Sequence, residues 1–333
     1  MIIGNNLKLM RINTCEMILE MVDNYIFNKN YSHYVIDSDT FSNNIEITEK
    51  KPKVSFVIPT FNSGRTLDEC LSSISNQDYP DMEIIVVDNG SDDNTVDIAK
   101  KYTRNVYFDN GKLGSVRQTG IDHATGKIVG SFDSDNYFPH NKWLLNSIKY
   151  FYYNNDIGTV WPKNIAPPNR PPFMKMYMNF SNLLLEDRIR RKRGIVGGGC
   201  ALFLKRAIDE VGGIDRDVHW GEDFNLAKKL KDQGYKLVYI KDPIYHDTDM
   251  GLSMKKFVKK QILGATSFTK NNFQSTGLSI KELFHEQIVI GTIGMVRGVI
   301  KERNFSWLLF PFLLFTRLMV YALIFTKNLF KFR

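Results

Sequence analysis

From residue 53 onward, short apolar runs alternate with amphipathic stretches. Residues 54–59 form an apolar run broken by one serine, the pattern of a parallel strand covered on both faces. In residues 66–76, Leu67, Cys70, Leu71 and Ile74 recur at helical spacing, and Thr66 with Glu69 has the form of a capping box. Residues 83–88 read as a second strand, followed by a turn at 89–94, a helix at 95–102 and a third strand near Val106. A helix at 115–124, with Gly126 in the place of a C-cap, leads into a strand at 127–133. This repeated unit predicts an α/β fold, a mostly parallel sheet with helices on both faces.

The pattern continues less regularly. Residues 143–153 read as helix, 159–162 as extended chain and the proline-rich stretch 167–172 as a loop. A basic run at 188–193 precedes Gly197-Gly198-Gly199, where the backbone can approach a ligand closely. The basic run reads as a solvated loop or as a face for anionic lipid or a lipid-linked diphosphate. A strand at 200–204 and a helix at 205–211 follow, then a helix opening on Trp220-Gly221-Glu222-Asp223 and ending at Gly234. The strand at 236–240 runs on toward His246.

Beyond residue 250 the composition shifts. Residues 283–300 are apolar but interrupted by His285, Glu286, Gln287 and Arg297, whereas 305–330 carry only Arg317 before Lys327. The second stretch exceeds the roughly 20 apolar residues that a bilayer span needs. Pro311 and Arg317 weigh against a span, since a mid-membrane arginine costs about 2.5–3.5 kcal/mol on insertion scales. Both flanks are basic, so charge counting gives no orientation. A span, a re-entrant hairpin and an interfacial helix pair stay open, with a buried core helix as the alternative; membrane attachment is preferred. Three regions are expected: an N-terminal extension at 1–52, a catalytic domain at 53–250 and a C-terminal helical, membrane-associating region at 251–333.

The formal charge of +8 fits a nucleic acid, an anionic membrane face or a phosphorylated substrate. No domain-sized nucleic-acid motif is present, so that partner is set aside. Cys15, Cys70 and Cys200 are few and widely spaced, which predicts reduced cytosolic thiols rather than a disulfide framework or a zinc site. Polar residues break the apolar positions of residues 1–20, so no export signal is expected. No Gly-x-Gly-x-x-Gly follows the first strand, which argues against a dinucleotide-dependent oxidoreductase.

Asp133-Ser134-Asp135 closes the strand at 127–133, and ligands of open α/β sheets gather at such strand ends. Two carboxylates so placed repel each other unless a cation lies between them, although a solvated turn would use the same residues. Asp88 ends an apolar strand in the same way; it can form an Asx-turn with Gly90. Gly111, Lys112 and Gly114 precede a helix whose N-terminus favours an anion, with Arg117 in its first turn. Glu222 and Asp223 open a later helix, where acidic residues also complement the helix dipole.

Together these segments resemble the family 2 glycosyltransferases of the GT-A fold across residues 53–250. Residues 54–62 are similar to the family's first strand and nucleotide loop, and residues 86–91 to its second-strand signature. Asp133-Ser134-Asp135 falls where the family carries its metal-binding Asp-x-Asp, Glu222-Asp223 where it carries an acidic pair, and His246 where it carries a late histidine. The resemblance implies a divalent metal, Mn²⁺ or Mg²⁺, held by Asp135 and His246 with Asp133 in support. It implies a UDP- or GDP-sugar donor contacted by Pro59, Thr60, Phe61, Asn62, Asp88, Lys112, Arg117, Asp133 and Ser134. It further implies inverting transfer with Asp223 as general base and Glu222 orienting it or the acceptor. A saccharide acceptor, lipid-linked, and a place at the cytoplasmic face of the cell membrane follow. Transfer to a polyprenyl phosphate is the alternative; a non-catalytic membrane-associated binding protein is the rival outside the class.

Overall fold

The structure, a computed structural model, describes residues 35–38, 41, 51–190, 200–218, 221–248, 255–259, 261, 262, 265, 285–301 and 303–329. Cys15, Gly197-Gly198-Gly199, Trp220 and the basic residues after Arg190 lie outside the described residues. The strands are β1 (Val35–Asp37), β2 (Val54–Thr60), β3 (Met82–Asp88), β4 (Val106–Phe108), β5 (Ile128–Ser131), β6 (Asn136–Tyr137), β7 (Ile157–Ile165), β8 (Ala201–Leu204) and β9 (Lys236–His246). They form one sheet in the order β1-β9-β7-β8-β5-β2-β3-β4, with β6 paired to β9. Only the pairings made by β6 and β8 are antiparallel among the described strands. The mostly parallel sheet is therefore observed.

Period-two alternation assigns the core. Val54, Phe56 and Ile58 point into one apolar layer together with Ile84 and Val86. Val57, Ile85 and Val87 point into the opposite one. Each fully buried side chain of this size contributes roughly 1.5–3 kcal/mol. The first layer is covered by α1 (Leu67–Ser75), α2 (Thr95–Tyr102) and Trp143 of α4 (Trp143–Ile148), the second by α3 (Leu113–His123), α6 (Lys205–Glu210) and α7 (Glu222–Asp232).

Several local expectations change. Thr66 occupies the N-cap of α1, but its side chain makes no capping hydrogen bond. Gly126 is not a C-cap; Ala124 holds that place in extended geometry. A Cβ on Gly126 would lie 2.7 Å from the Lys53 carbonyl oxygen, so close passage of two chain segments explains the glycine. The N-terminal extension contributes β1, which pairs parallel with β9 at one edge of the sheet. The proline-rich stretch is a loop through Pro171, as expected, and its last residue, Pro172, opens a 19-residue helix, α5 (Pro172–Arg190). A proline at the first helical position lacks only an N–H that the helix would leave unbonded, so it starts a helix well.

Helix α5 is the floor of a third apolar cluster. Its Met176, Phe180, Leu183 and Leu184 pack with Trp307, Phe310 and Leu313 from the C-terminal segment. That segment contains a π-helical turn (His285–Ile290), α8 (Gly291–Ile300), a short 3-10 turn (Phe305–Leu309) and α9 (Phe310–Leu329). Arg188 of the basic run pairs with the buried Glu286 at 2.7 Å, so this member of the run serves packing rather than a solvated loop. Arg317 turns inward to donate to Gln287 at 3.1 Å, while Phe305, Leu308, Phe312, Phe315 and Leu323 stay exposed.

Helix α3 reaches the sheet closely because Gly120 has no side chain; a Cβ there would fall 2.3 Å from Val57 Cγ1. Gly120→Ala is expected to lower unfolding stability by about 1–3 kcal/mol through overpacking, read from urea denaturation midpoints.

Candidate active site

Strand register brings the site together. Thr60 at the end of β2 lies beside Asp88 at the end of β3. Next along the sheet, β5 ends at Ser131 and the chain turns through Asp133-Ser134-Asp135. Asn136 of β6 pairs with His246, which returns the end of β9 to the same edge. A bond between the Ser63 and Ser134 hydroxyls, 2.8 Å apart, joins the loop after β2 to the acidic triplet.

Among the described residues, Asp133, Asp135 and His246 offer one ligand atom each, all within 4.8 Å of one another. Asp135 Oδ1 lies 3.4 Å from His246 Nε2. That oxygen is buried and has no hydrogen-bond partner among the described residues. A buried carboxylate oxygen without a partner is costly, and a hard divalent cation would satisfy it. The donor set of two carboxylates and an imidazole fits Mn²⁺ or Mg²⁺, and the imidazole tilts it toward Mn²⁺.

Asp133 differs from Asp135 because its carboxylate is already engaged. Arg117 Nη2 donates to Asp133 Oδ1, and the Cys200 thiol donates to Oδ2 at 3.4 Å. Burial, the largest influence, would raise the Asp133 carboxyl; the Arg117 guanidinium, the His246 ring and the hydrogen bonds from Arg117 and Cys200 together hold it below the usual carboxylate range. Arg117 also donates to Ser131 Oγ at 2.9 Å and to Glu222 Oε1 at 3.1 Å. The expectation that Arg117 reaches out to a diphosphate is thereby corrected: its side chain is 3% exposed and spent on two carboxylates.

Glu222 and Asp223 then take different places. Gly221, with φ +87°, turns the chain into α7 in the left-handed region where glycine is favoured. Glu222 is buried against Arg117, while Asp223 is half-buried and accepts from the Phe224 N–H at 2.8 Å. Burial, then the neighbouring Glu222 charge, pushes the Asp223 carboxyl up to about 7. A carboxyl poised there can accept a proton near neutral pH.

At the end of β2, Pro59 and Thr60 are buried. Asp88 forms the Asx-turn: its Oδ2 accepts from the N–H groups of Gly90 (3.1 Å) and Ser91 (2.8 Å). Its Oδ1 accepts from the hydroxyls of Thr60 (2.9 Å) and Ser91 (2.6 Å). Phe61 is 61% exposed, which excludes a core role and leaves its ring open to a flat ligand. Asn62, at φ 48°, is clamped to the turn by its N–H to Ser91 Oγ (2.8 Å) and its Oδ1 from Asp92 N–H (3.0 Å). Lys112 is exposed and donates to the Asp217 carbonyl at 2.8 Å.

Sequence reasoning missed a second ionic cluster beside the first. Asp247, buried directly after His246, accepts from Arg65 Nη1 at 2.6 Å and from Arg170 Nε at 2.7 Å and Nη2. Its own N–H donates to the Asp135 carbonyl at 2.8 Å.

Comparisons with known proteins agree with this geometry. The profile for glycosyl transferase family 2 matches residues 55–212, and that for glycosyl transferase family group 2 matches residues 147–329. The chain is 27% identical over 208 residues to glycosyltransferase AglE of Haloferax volcanii, covering 60% of this chain and 67% of the relative. It is 37% identical over 93 residues to the GalNAc(5)-diNAcBac-PP-undecaprenol beta-1,3-glucosyltransferase of Campylobacter jejuni, covering 25% of this chain and 30% of the relative. Other curated relatives are matched over as little as 19% of their length. Mannosyltransferase PcManGT from Pyrobaculum calidifontis, solved with GDP-Man and Mn²⁺, superposes with a TM-score of 0.56 at 18% identity. That match covers 92% of this chain and 99% of the other, so the two share a fold.

Removing the Arg117 charge should leave Glu222 and Asp133 facing each other unpaired. Arg117→Leu is expected to lose about 3–5 kcal/mol in urea denaturation. Adding Glu222→Leu should recover part of that loss, a non-additivity that a double-mutant cycle reads directly.

Proposed function

The chain belongs to glycosyltransferase family 2, and we propose that it is an inverting, metal-dependent enzyme using a nucleotide-diphospho-sugar donor. Its acceptor, on this reading, is a hydroxyl of a lipid-linked saccharide. The observation that carries the proposal is the pairing of two sites. One is the Asp133, Asp135 and His246 cluster, whose buried Asp135 Oδ1 accepts no hydrogen bond among the described residues; the other is the carboxyl of Asp223, pushed up to about 7.

Asp135 and His246 would hold the cation, and Asp133, fixed by Arg117, would support it from one side. When bound, the cation would offset the charge developing on the departing nucleoside diphosphate. The exposed ring of Phe61 supports stacking on the nucleobase, and the Asp88 turn holds the loop that presents it. The acceptor oxygen bonds to the anomeric carbon as the bond from that carbon to the diphosphate oxygen breaks. Asp223 takes the hydroxyl proton. Glu222, locked by Arg117, orients the start of α7 and raises the affinity of Asp223 for that proton. A single displacement of this kind inverts the anomeric centre.

A lipid-linked acceptor is supported from the C-terminal region. Phe305–Ile324 is long and apolar enough to cross a membrane by length and composition, and most of that window is exposed. Arg317 faces the protein, so it does not interrupt the exposed apolar face. That arrangement favours a helix resting on the cytoplasmic face of a membrane. The Campylobacter relative is named for an undecaprenol-linked acceptor, which supports the same class here. Residues 53–250 are assigned to catalysis and 251–333 to membrane association; β1 ties the preceding extension to the sheet edge.

Screening UDP- and GDP-sugars with Mn²⁺ and a membrane lipid extract tests the proposal. Asp223→Asn should reduce transfer at least about 100-fold while metal-dependent nucleotide binding survives; undiminished transfer would remove the base assignment. With Asp223 intact, kcat/KM should fall as pH drops below about 7, because the protonated carboxyl cannot accept the proton. Glu222→Gln should move that limb to lower pH by removing a like charge. Asp135→Asn should abolish metal-dependent nucleotide binding, measured by titration calorimetry with Mn²⁺.

A further inference from the structure

A cavity of about 550 Å³ lies between α1 and the β6–β9 pair, within the size range of small-molecule sites. Its walls are tied to each other from within. Gln77, just after α1, donates to the Ser73 carbonyl at 3.2 Å and to the His140 carbonyl at 2.9 Å. Its Oε1 accepts from the Leu144 N–H at 2.9 Å. Ser73 Oγ accepts from the Phe138 N–H at 3.1 Å, and the Phe138 ring stacks on Trp143. Asp242 Oδ1 lies 3.0 Å from His140 Nε2. Helix α1 and the loop after β6 cannot separate without breaking these bonds, so the cavity is preformed.

Two kinds of side chain line it. Tyr137 and Tyr245 are partners in the antiparallel register, with ring centroids 5.1 Å apart and planes tilted by 46°. Both are half-buried. Strand alternation puts Tyr245 on the face opposite His246, so the cavity lies across the β6–β9 ladder from the metal cluster. Burial, then the charges of Glu69 and Asp247, pushes the Tyr137 phenol up, which keeps it a neutral hydroxyl. Across from the rings stand Asp68, Glu69, Ser72 and Asn76 of α1 and its C-cap. Asp68 and Asn76 each spend one polar atom locally: Asp68 Oδ1 accepts from Tyr102 at 3.1 Å, and Asn76 Nδ2 donates to Ser72 Oγ at 3.4 Å. Both residues are exposed, as is Glu69.

We infer that this cavity is a second saccharide-binding site, separate from the transfer centre, that holds a neutral oligosaccharide. A pyranose presents apolar C–H faces and a rim of hydroxyls. Tyrosine rings suit the first, and carboxylate, amide and hydroxyl groups suit the second. The carboxylates of Asp68, Glu69 and Asp242 disfavour an anion, which sets aside a nucleotide or a phosphorylated lipid here. Arg170, which faces Glu69 and Tyr137, is committed to Asp247. The inference goes beyond the transferase reading: no bond is made or broken in this cavity, which would grip a stretch of glycan distant from the reacting hydroxyl.

The test reads binding by the full chain. Cellotetraose, chitotetraose and mannotetraose are titrated without nucleotide or metal, and followed by saturation-transfer NMR and calorimetry. At least one should bind. Tyr245→Ala should weaken that binding about tenfold, and Glu69→Ala about threefold or more. Tyr245→Phe keeps the ring and should lose less than Tyr245→Ala. Glu69 is exposed on α1, so Glu69→Ala should fold even where a tyrosine variant does not; circular dichroism and melting curves register each. Folded variants should bind UDP or GDP with Mn²⁺ as the unsubstituted protein does, which separates this cavity from the transfer centre. Binding of none of the three probes overturns the inference, and so does a probe that folded Glu69→Ala and Tyr245→Ala bind with unchanged affinity. Equal weakening of saccharide and nucleotide binding also overturns it. Failure of the unsubstituted protein to bind nucleotide with Mn²⁺ would count against the transferase reading alone.

Discussion

The candidate active site depends on the burial of one cation among carboxylates. Arg117 projects from α3 into a space where Asp133 arrives from the end of β5 and Glu222 from the start of α7. Desolvating a guanidinium costs several kcal/mol, and the two carboxylates offset that only where the hydrogen-bond geometry is good. The Ser131 hydroxyl takes up a further N–H. The result is a junction that three separate elements must satisfy at once. It fixes the distance between the acidic triplet and the acidic pair without occupying Asp135 or Asp223. Those two carboxylates are left for chemistry: one has a buried oxygen without a hydrogen-bond partner among the described residues, the other a raised proton affinity.

Much of this was legible in the sequence because strands announce themselves by apolar runs and end abruptly on polar residues. The ends of β2, β3 and β5 fall at Thr60, Asp88 and the residues before Asp133, close to where the apolar runs stop. Arg117 was harder to read. It sits between Val116 and Gly120 on the buried face of a helix, and a charged residue on a helix is ordinarily assigned to solvent. Its partners come from 14 or more positions away, so no local period reveals them. Helix α5 was hidden for another reason: the prolines before it read as a loop, while its Met176, Phe180, Leu183 and Leu184 are buried by Phe257 and by segments from residue 290 onward.

The same physical reason explains why the second arginine cluster escapes a motif search. Arg65, Arg170 and Asp247 come from three loops and share no spacing; only the return of β9 beside β6 brings Asp247 to the triplet. A faint signal was present in the sequence, since Asp247 follows the histidine that matches the family pattern. Once the fold buries Asp247, its carboxylate demands a partner.

Two ionic clusters thus flank the Asp135–His246 pair, and they differ in how they are balanced. Around Arg117, one guanidinium serves two carboxylates, and Asp223 beside them is raised first by burial and then by the Glu222 charge. Around Asp247, two guanidiniums converge on one buried carboxylate. The backbone bond from Asp247 to Asp135 and the Arg117 bond to Asp133 pin both clusters to the same acidic triplet. Shifting that triplet would disturb both ionic clusters together, which ties its loop more tightly to the fold than its polar composition suggests.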